Sequence, residues 1–247
     1  MSKTIVILQS NYIPWKGYFD LMAAADEFLI FDEVQFTRRD WRNRNKIVVD
    51  GAMRWLSIPV QSKGLFEAPI NEMQLVNSHW CRSHLETIRQ AYRRSPGFAS
   101  VAPVLEAAYR EAAGLTLLTQ VNELFLRRVG QLLGLETPLL RAEEAAPRVS
   151  PDPTGRLVEI CRARGATRYL SGPAGRAYLD AGLFEAAGIA LCFADYSGYR
   201  PYPQCLSTFE HGVSMLDVLF QCGPAAARDQ LKSIADRDGL VASGSLP

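Results

Sequence analysis

The sequence predicts an α/β fold whose core is a parallel sheet, and three observations near the N-terminus predict it. The run TIVIL at residues 4–8 is almost continuously apolar, which is typical of a strand buried on both faces. Residues 17–25 show helical spacing of their apolar side chains, and residues 28–31 form a second apolar run. A strand, a helix and a strand within about 28 residues indicate a βαβ crossover, which joins parallel strands.

The next segments predict a hairpin and then a helical insertion. Two strand-like runs at residues 46–60 flank Asp50-Gly51, a dipeptide that is typical of a tight hairpin turn. The helical insertion begins with Asn77 as its expected N-cap, and Gly114 and Gly134 are expected to end its second and third helices.

The last third of the chain returns to an α/β pattern after a proline-punctuated connector at residues 139–154. A short strand at Tyr169-Leu170, a helix near residues 177–187, a strand at 189–196 and a helix at 214–223 are expected, followed by a poorly ordered tail from residue 239. The predicted organisation is one compact unit with three parts: an N-terminal α/β part at 1–76, a helical part at 77–138 and a C-terminal α/β part at 139–247.

Composition is that of an ordinary globular protein. Hydrophobic residues make up 48% of the 247 positions, and the net charge is +1, which argues against a nucleic-acid partner. No signal peptide or membrane span is apparent, so a cytoplasmic location is expected. The five cysteines form no CxxC pair and only three histidines are present, so we expect no disulfide framework, no metal site and no tightly bound cofactor.

The segment QSNYIPWKGYFD at residues 9–20 is the first candidate for a binding site. It follows the first predicted strand, and the second strand delivers DEVQ to the same edge of the sheet, where α/β proteins bind their ligands. Amides, a carboxylate and flat aromatic walls suit a sugar or a nucleobase. The alternative is that these side chains only pack the loop against the sheet. The predicted substrate-binding residues here are Gln9, Asn11, Tyr12, Trp15, Tyr18 and Gln35, with Asp32 beside them as a candidate base.

A basic segment at residues 36–46 is the second candidate. Five cations, two asparagines and Trp41 alternate there, and arginine forks grip phosphate in a bidentate manner. A nucleoside diphosphate or a phosphopantetheine arm would fit this pattern. The alternative is a solvated loop whose arginines pair with nearby carboxylates. The predicted phosphate-binding residues are Arg42, Asn43, Arg44 and Lys46.

Three further places could carry chemistry. His84 lies one helical turn from Cys81, so it could act as a general base or with that thiol, but a structural histidine is the favoured interpretation. Ser171 is a predicted substrate-binding residue, since it lies where a strand runs into a small-residue turn and a helix whose first amides could hold an anion. Tyr202 and Gln204 are predicted to bind substrate, because their Tyr- and Pro-rich segment repeats the composition of residues 9–20; turn packing is the alternative.

Several segments together resemble the WbqC-like protein family. They are QSNYIPWKGYFD, ADEFLIFDEVQFTRRDWRNRNKI, WLSIPV, YLSGPAGRAYLD and the late YPQ and SMLDVLFQCGP, which span residues 5 to 224. One difference is that Arg200-Pro201 stands where the family often has His-Pro. The positions that match the family pattern are Gln9, Asn11, Pro14, Trp15, Gly17, Tyr18, Asp32, Gln35, Trp41, Arg42, Asn43, Arg44, Asn45, Ser171, Gly172, Tyr202, Gln204 and Asp217.

The resemblance implies a role in making a bacterial surface glycan such as O-antigen. We expect an enzyme that modifies a nucleotide-linked amino sugar, by acyl or aminoacyl transfer to the amine from coenzyme A or a carrier protein, with Asp32 or His84 as base. Two alternatives stay open: a non-catalytic module that binds a nucleotide sugar or a partner enzyme, and a nucleotidylyltransferase-like enzyme. The latter lacks the expected histidine pair in the first turn, and a GxGxxG phosphate loop is absent.

Overall fold

A computed structural model describes residues 2–235 and 240–242. Its strands are β1 (Thr4–Leu8), β2 (Glu27–Ile30), β3 (Arg44–Val49), β4 (Ala52–Ser57), β5 (Leu139–Arg141), β6 (Arg168–Ser171), β7 (Ala190–Ala194) and β8 (Leu240–Ala242). Its helices are α1 (Lys16–Ala24), α2 (His79–Tyr92), α3 (Phe98–Ala112), α4 (Leu118–Leu132), α5 (Ala142–Ala145), α6 (Pro153–Ala163), α7 (Ala181–Ala186), α8 (Met215–Cys222), α9 (Pro224–Arg228) and α10 (Lys232–Ala235), with 3-10 turns at Ile70–Glu72 and Pro173–Ala177.

Five of these strands form the predicted parallel sheet, in the order β5-β2-β1-β6-β7, and β8 adds an antiparallel edge. This confirms the α/β fold. Numbered among the parallel strands only, the order is 3-2-1-4-5, so the direction of winding reverses between β1 and β6. Doubly wound sheets bind ligands at the carboxyl ends of the strands on either side of such a reversal.

Both faces of the sheet are covered by helices. Successive side chains of a strand point to opposite faces, so neighbouring residues of one strand pack in different cores. Val6 and Phe28 pack on the larger core, which also contains α1 and the helical insertion. Ile5, Ile7 and Leu29 pack on the smaller core beneath α6 and α7. The central strand is therefore buried on both sides, as its apolar run predicts.

The β3–β4 hairpin forms a separate two-stranded sheet. Its turn is Asp50-Gly51, and both residues have positive φ, 48° and 77°, which the favoured two-residue hairpin turn requires. Val49 therefore pairs with Ala52, and the predicted hairpin is confirmed.

Three predicted segments differ from the structure. The connector at 139–154 begins with β5, which pairs with the free edge of β2 through Leu139 and Leu140, and continues into α5. The helix expected near residues 177–187 is broken into the 3-10 turn and α7, because Asp180 caps a new helix by accepting from the Gly182 amide at 2.8 Å. Within the tail expected to be poorly ordered, β8 is formed, whereas residue 239 and residues 243–247 lie outside the described residues.

The predicted helical insertion is confirmed as α2, α3 and α4. Asn77 lies one position before the residue that caps α2, and its Oδ1 accepts the His79 amide at 3.0 Å. Gly134 follows α4 with φ of 62°, which is the conformation that ends helices and favours glycine.

Candidate functional site

The strand order reverses between β1 and β6, and doubly wound sheets bind their ligands at the carboxyl ends of such strands. We call the surface at the carboxyl ends of these two strands the crevice. The loop after β1 brings Gln9 and Asn11 to it, and the end of β6 brings Ser171 and Gly172. Trp15 and Tyr196 form an aromatic wall, with ring centroids 4.8 Å apart and nearly perpendicular rings. A Cβ at Gly172 would approach the Tyr196 hydroxyl to 3.3 Å, so the small residue lets β6 lie close to this wall.

Arg42 from the basic segment reaches the same loop. One guanidinium nitrogen donates to Asn11 Oδ1 and another to Gln9 Oε1. The Arg42 side chain is only 14% exposed, and its ion-pair contact is with Asp40 at 3.7 Å. Burial lowers the pKa of Arg42, which marks a poorly hydrated cation. The structure thus brings together three residues that the sequence placed in two separate candidate segments.

The orientation of the two amides makes this cluster a donor array. Arginine can only donate, so the oxygens of Gln9 and Asn11 must face it and their NH2 groups must face away. Arg42 Nε is buried and has no hydrogen-bond partner among the residues the structure describes. We call Gln9, Asn11 and Arg42 the donor cluster. It carries a positive charge and unused N–H groups, which is the complement of a phosphate or carboxylate.

Tyr18 holds this cluster from below, since its hydroxyl donates to the Gln9 carbonyl at 3.1 Å. The Tyr18 and Tyr12 rings are both buried, so these two residues support the loop from within the core. Gln35 lies apart from the donor cluster: it is exposed, and its amide donates to the Phe66 carbonyl at 2.6 Å. Ser171 is buried and its hydroxyl donates to the Gly172 carbonyl at 3.1 Å, so it shapes the turn at the crevice.

Asp32, a predicted base, is fully buried beneath the loop. Its Oδ1 accepts the Ser10 amide at 2.8 Å, and its Oδ2 accepts the hydroxyls of Ser10 and Thr119, each at 2.6 Å. Burial raises the pKa of this carboxyl, although the hydrogen bonds oppose the shift. Both oxygens are occupied by protein donors, and this placement favours a role in fixing the loop over proton transfer to a ligand.

His84, the other predicted base, is enclosed in the larger core. Its Nδ1 lies 2.9 Å from the Tyr12 hydroxyl, which in turn lies 2.5 Å from the Tyr109 hydroxyl. Burial lowers the pKa of His84 to about 4. Neighbouring Cys81 is also buried, and burial raises the pKa of its thiol to about 11, so a Cys–His nucleophile pair is disfavoured. The geometry favours a structural histidine.

The depressed pKa of His84 predicts a loss of stability in acid. The pKa is about 4 in the folded protein and 6.5 ordinarily, so the unfolded chain binds more protons between these values. The free energy of unfolding is therefore expected to fall by about 3 kcal/mol from this group as pH drops from 6.5 to 4. Urea unfolding across this range should show the fall in the native protein. His84→Gln should flatten it relative to a matched His79→Gln control, and an unchanged slope in His84→Gln would contradict the assignment.

The predicted phosphate-binding residues are divided between two places. Only Arg42 enters the crevice. Arg44 lies over the Trp55 ring at 4.2 Å, and Lys46 lies 5.7 Å from the Trp41 ring on the outer face of the hairpin. Asn43 donates to the Ile58 carbonyl at 2.8 Å and therefore ties the segment to the chain beyond β4. Asn43, Arg44 and Lys46 lie outside the crevice. Phosphate binding by these three residues therefore remains a prediction.

Tyr202 and Gln204, predicted to bind substrate, belong to a buried network around Asp217. Asp217 accepts from Tyr92 at 2.8 Å, from Tyr202 at 2.7 Å and from Gln204 at 2.9 Å. The carboxylate is fully buried. The network joins α2, α8 and the loop between β7 and α8, so the sequence motif at 202–204 fixes this loop.

Lys16 is a notable residue that sequence reasoning missed. It is only 1% exposed, and its Nζ lies 4.8 Å from the Tyr199 ring centroid and donates to the Arg200 carbonyl at 3.3 Å. Burial lowers its pKa to about 8. The signal for it was the shared Tyr- and Pro-rich composition of two segments, residues 9–20 and 195–204, which the structure brings into contact through Trp15.

Comparison with known proteins identifies the family. The WbqC-like family model matches residues 9–229, a range that includes the whole crevice. The chain belongs to the WbqC-like protein family. It is 40% identical over 230 residues to a protein of Mycobacterium tuberculosis (strain ATCC 25618 / H37Rv) named Uncharacterized protein Rv1507c, an alignment that covers 93% of this chain and 98% of that protein. No solved structure matches the chain.

This WbqC-like protein contains, over residues 2–235 and 240–242, no helix that is long and apolar enough to cross a membrane. The same residues include no group of three or more histidine, cysteine or carboxylate side chains arranged to hold a metal ion.

Proposed function

We propose that the crevice between β1 and β6 binds a nucleotide-linked sugar and that the protein serves bacterial surface-glycan biosynthesis. The observation that carries the proposal is the donor cluster at the point where the sheet reverses its winding. A diphosphate would accept from Arg42 and from the outward-facing amides of Gln9 and Asn11. The adjacent wall of Trp15 and Tyr196 offers flat apolar faces to a sugar ring.

We further propose that the protein transfers an acyl or aminoacyl group to an amine of this sugar. Such a step forms an amide bond, releases the carrier thiol and needs a group that takes the amine proton. Positioning of the two reactants supplies much of the acceleration in reactions of this type. Family membership and the polar crevice support this proposal, whereas the buried positions of Asp32 and His84 do not support either residue as the base.

A specific observation favours a second candidate, a nucleotide-sugar-binding module without catalysis. Both predicted bases are engaged in internal hydrogen bonds and lie beneath the loop that forms the crevice. A crevice built for binding alone would need the donor cluster and its aromatic wall but no proton acceptor. The two candidates therefore share a ligand and differ in turnover.

Calorimetric titration with a panel of nucleoside diphosphate sugars tests the shared part. Arg42→Gln is expected to weaken binding about 10- to 100-fold, because a charge-assisted hydrogen bond to phosphate contributes about 1.5–3 kcal/mol. Arg42→Lys retains the charge but loses the forked pair of N–H donors, so its affinity should lie between those of the native protein and Arg42→Gln. Arg94→Gln, an exposed arginine outside the crevice, is the matched control and should bind as the native protein does.

Two outcomes decide the rest. Equal affinity of the native protein and Arg42→Gln, with unchanged unfolding curves, would overturn the crevice as the binding site. If binding holds, mass spectrometry of the bound amino sugar after incubation with acyl-coenzyme A and acyl-carrier protein separates the candidates. Formation of a new amide would support the transferase. If no amide forms, and if the surface glycan of cells lacking the protein is unchanged, both the catalytic role and the glycan role are contradicted.

A further inference from the structure

Exposed apolar side chains concentrate on one side of the molecule. Of the nine large apolar side chains that the described residues expose, five lie on the β3–β4 hairpin or the two loops beside it. We call these five the apolar face. They are Trp41, Met53, Trp55, Leu65 and Phe66. Phe66 is 68% exposed, which is unusual for a phenylalanine with no polar atom to hydrate.

Contacts with the basic segment connect three of these residues, Trp41, Trp55 and Phe66. The Trp41 and Trp55 rings lie 5.5 Å apart. Arg44 lies over the Trp55 ring at 4.2 Å and donates to the Arg39 carbonyl. The preceding residue, Arg38, lies 5.0 Å from the Phe66 ring. The hairpin and the 61–68 loop are therefore linked through Arg44, the backbone at residues 38–39 and Arg38.

The same region is strongly basic, although the whole chain has a net charge of only +1. Residues 36–68 contain seven lysines and arginines and three carboxylates, Asp40, Asp50 and Glu67. Asp40 is already engaged by Thr37 at 2.6 Å, and its pKa is lowered by this bond and by nearby cations, although burial opposes the shift. Positive charge thus surrounds the apolar face.

We infer that the apolar face docks on the surface of an anionic lipid bilayer, a partner beyond the crevice ligand of the proposed function. Exposed Trp, Phe and Leu among Lys and Arg are the side chains that enter the boundary between lipid headgroups and acyl chains. Cations nearby are attracted to anionic headgroups. Leu65 and Phe66 follow Gly64, whose φ of 78° turns the chain at the tip of an exposed loop.

The aliphatic members distinguish this partner from a polymer. A polysaccharide or a single-stranded nucleic acid would stack on Trp41 and Trp55, since sugars and bases have flat faces. Neither has a use for the exposed chains of Met53 and Leu65. A bilayer uses all five, because acyl chains accept aromatic and aliphatic groups alike.

Flotation of the full-length protein with lipid vesicles tests the inference. Vesicles of phosphatidylcholine with phosphatidylglycerol should carry the protein, whereas pure phosphatidylcholine vesicles should carry much less, and added salt should release it. Leu65→Ser/Phe66→Ser and Met53→Ser/Trp55→Ser should each lower the partition constant about tenfold or more. Arg38→Gln, at the cation beside the Phe66 ring, and Lys63→Gln should each lower it about fivefold.

Val149→Ser and Leu183→Ser are the matched controls, because both residues are exposed but lie outside this region. They should float as the native protein does. Absence of flotation, equal flotation with both vesicle types, or flotation that survives both double variants would overturn the inference. Binding of a single-stranded oligonucleotide or an acidic polysaccharide without flotation, lost in the same variants, would assign the face to a polymer and also overturn it. The flotation experiment contains no nucleotide sugar. A negative result would therefore contradict bilayer docking and leave the proposed function of the crevice unaffected.

Discussion

Replacement of Asp32 by alanine is expected to lower the free energy of unfolding by about 3 kcal/mol, because three buried donors lose their acceptor at once. These donors are the Ser10 amide, the Ser10 hydroxyl and the Thr119 hydroxyl. The Ser10 donors belong to the loop that carries Gln9 and Asn11, so the affinity for a crevice ligand should fall as well. Urea unfolding and calorimetric titration measure the two effects.

Asp32→Asn separates a structural role from a catalytic one. One amide oxygen can still accept, and the Thr119 hydroxyl can rotate to receive the new NH2, so a smaller loss of about 1–2 kcal/mol is expected. Thr119→Val, which removes a single donor, should cost about 1 kcal/mol. Glu136→Gln, at an exposed carboxylate, is the control and should stay within about 0.5 kcal/mol of the native protein. If Asp32→Asn kept native stability and ligand affinity but lost all transfer activity, Asp32 would be the base.

Local patterns were sufficient to predict the centre of the fold. The run at residues 4–8 could be assigned to a central strand because a strand covered on both faces must be apolar at every position. The hairpin followed from Asp50-Gly51, since few other dipeptides adopt two successive positive φ angles. Both predictions rest on residues that are adjacent in sequence.

The edge strand β5 could not be predicted in this way. Leu139–Arg141 is too short to show a period, and prolines follow it. It becomes a strand because β2 offers a free edge and because Arg127 donates to the Leu139 carbonyl at 2.8 Å. Its extended conformation is set by distant parts of the chain, which a local pattern does not report.

The candidate site shows the same limit. Convergence of Gln9 and Asn11 at one edge followed from their position after β1. Sequence could not show that Asp32 would meet Thr119, or that His84 would meet Tyr12, because these partners are 87 and 72 residues apart. A carboxylate after a strand has the same appearance in sequence whether it faces solvent or supports the loop above it.

Asp217→Leu is expected to be the most destabilising single replacement considered, with a loss of about 4 kcal/mol. The leucine would fill the space but leave the hydroxyls of Tyr92 and Tyr202 and the Gln204 amide without their acceptor. These donors come from α2 and from the loop before α8, so their release should also loosen the contacts of that loop with Lys16. Urea unfolding measures the loss.

Tyr92→Phe and Tyr202→Phe dissect this effect, since each removes one donor and leaves the carboxylate with the other two. Tyr202→Phe should cost about 1 kcal/mol. Tyr92→Phe should cost about 2 kcal/mol, because its hydroxyl also accepts the buried Val48 amide at 3.2 Å, and both losses should stay below that of Asp217→Leu. Asp229→Ala, at an exposed carboxylate just after α9, should change stability by no more than about 0.5 kcal/mol. A loss in Asp217→Leu no larger than in either tyrosine variant would mean that the three donors find other acceptors. The carboxylate would then not hold the loop. If Asp217→Leu kept the native stability but changed the affinity for the crevice ligand, Asp217 would instead belong to the binding site.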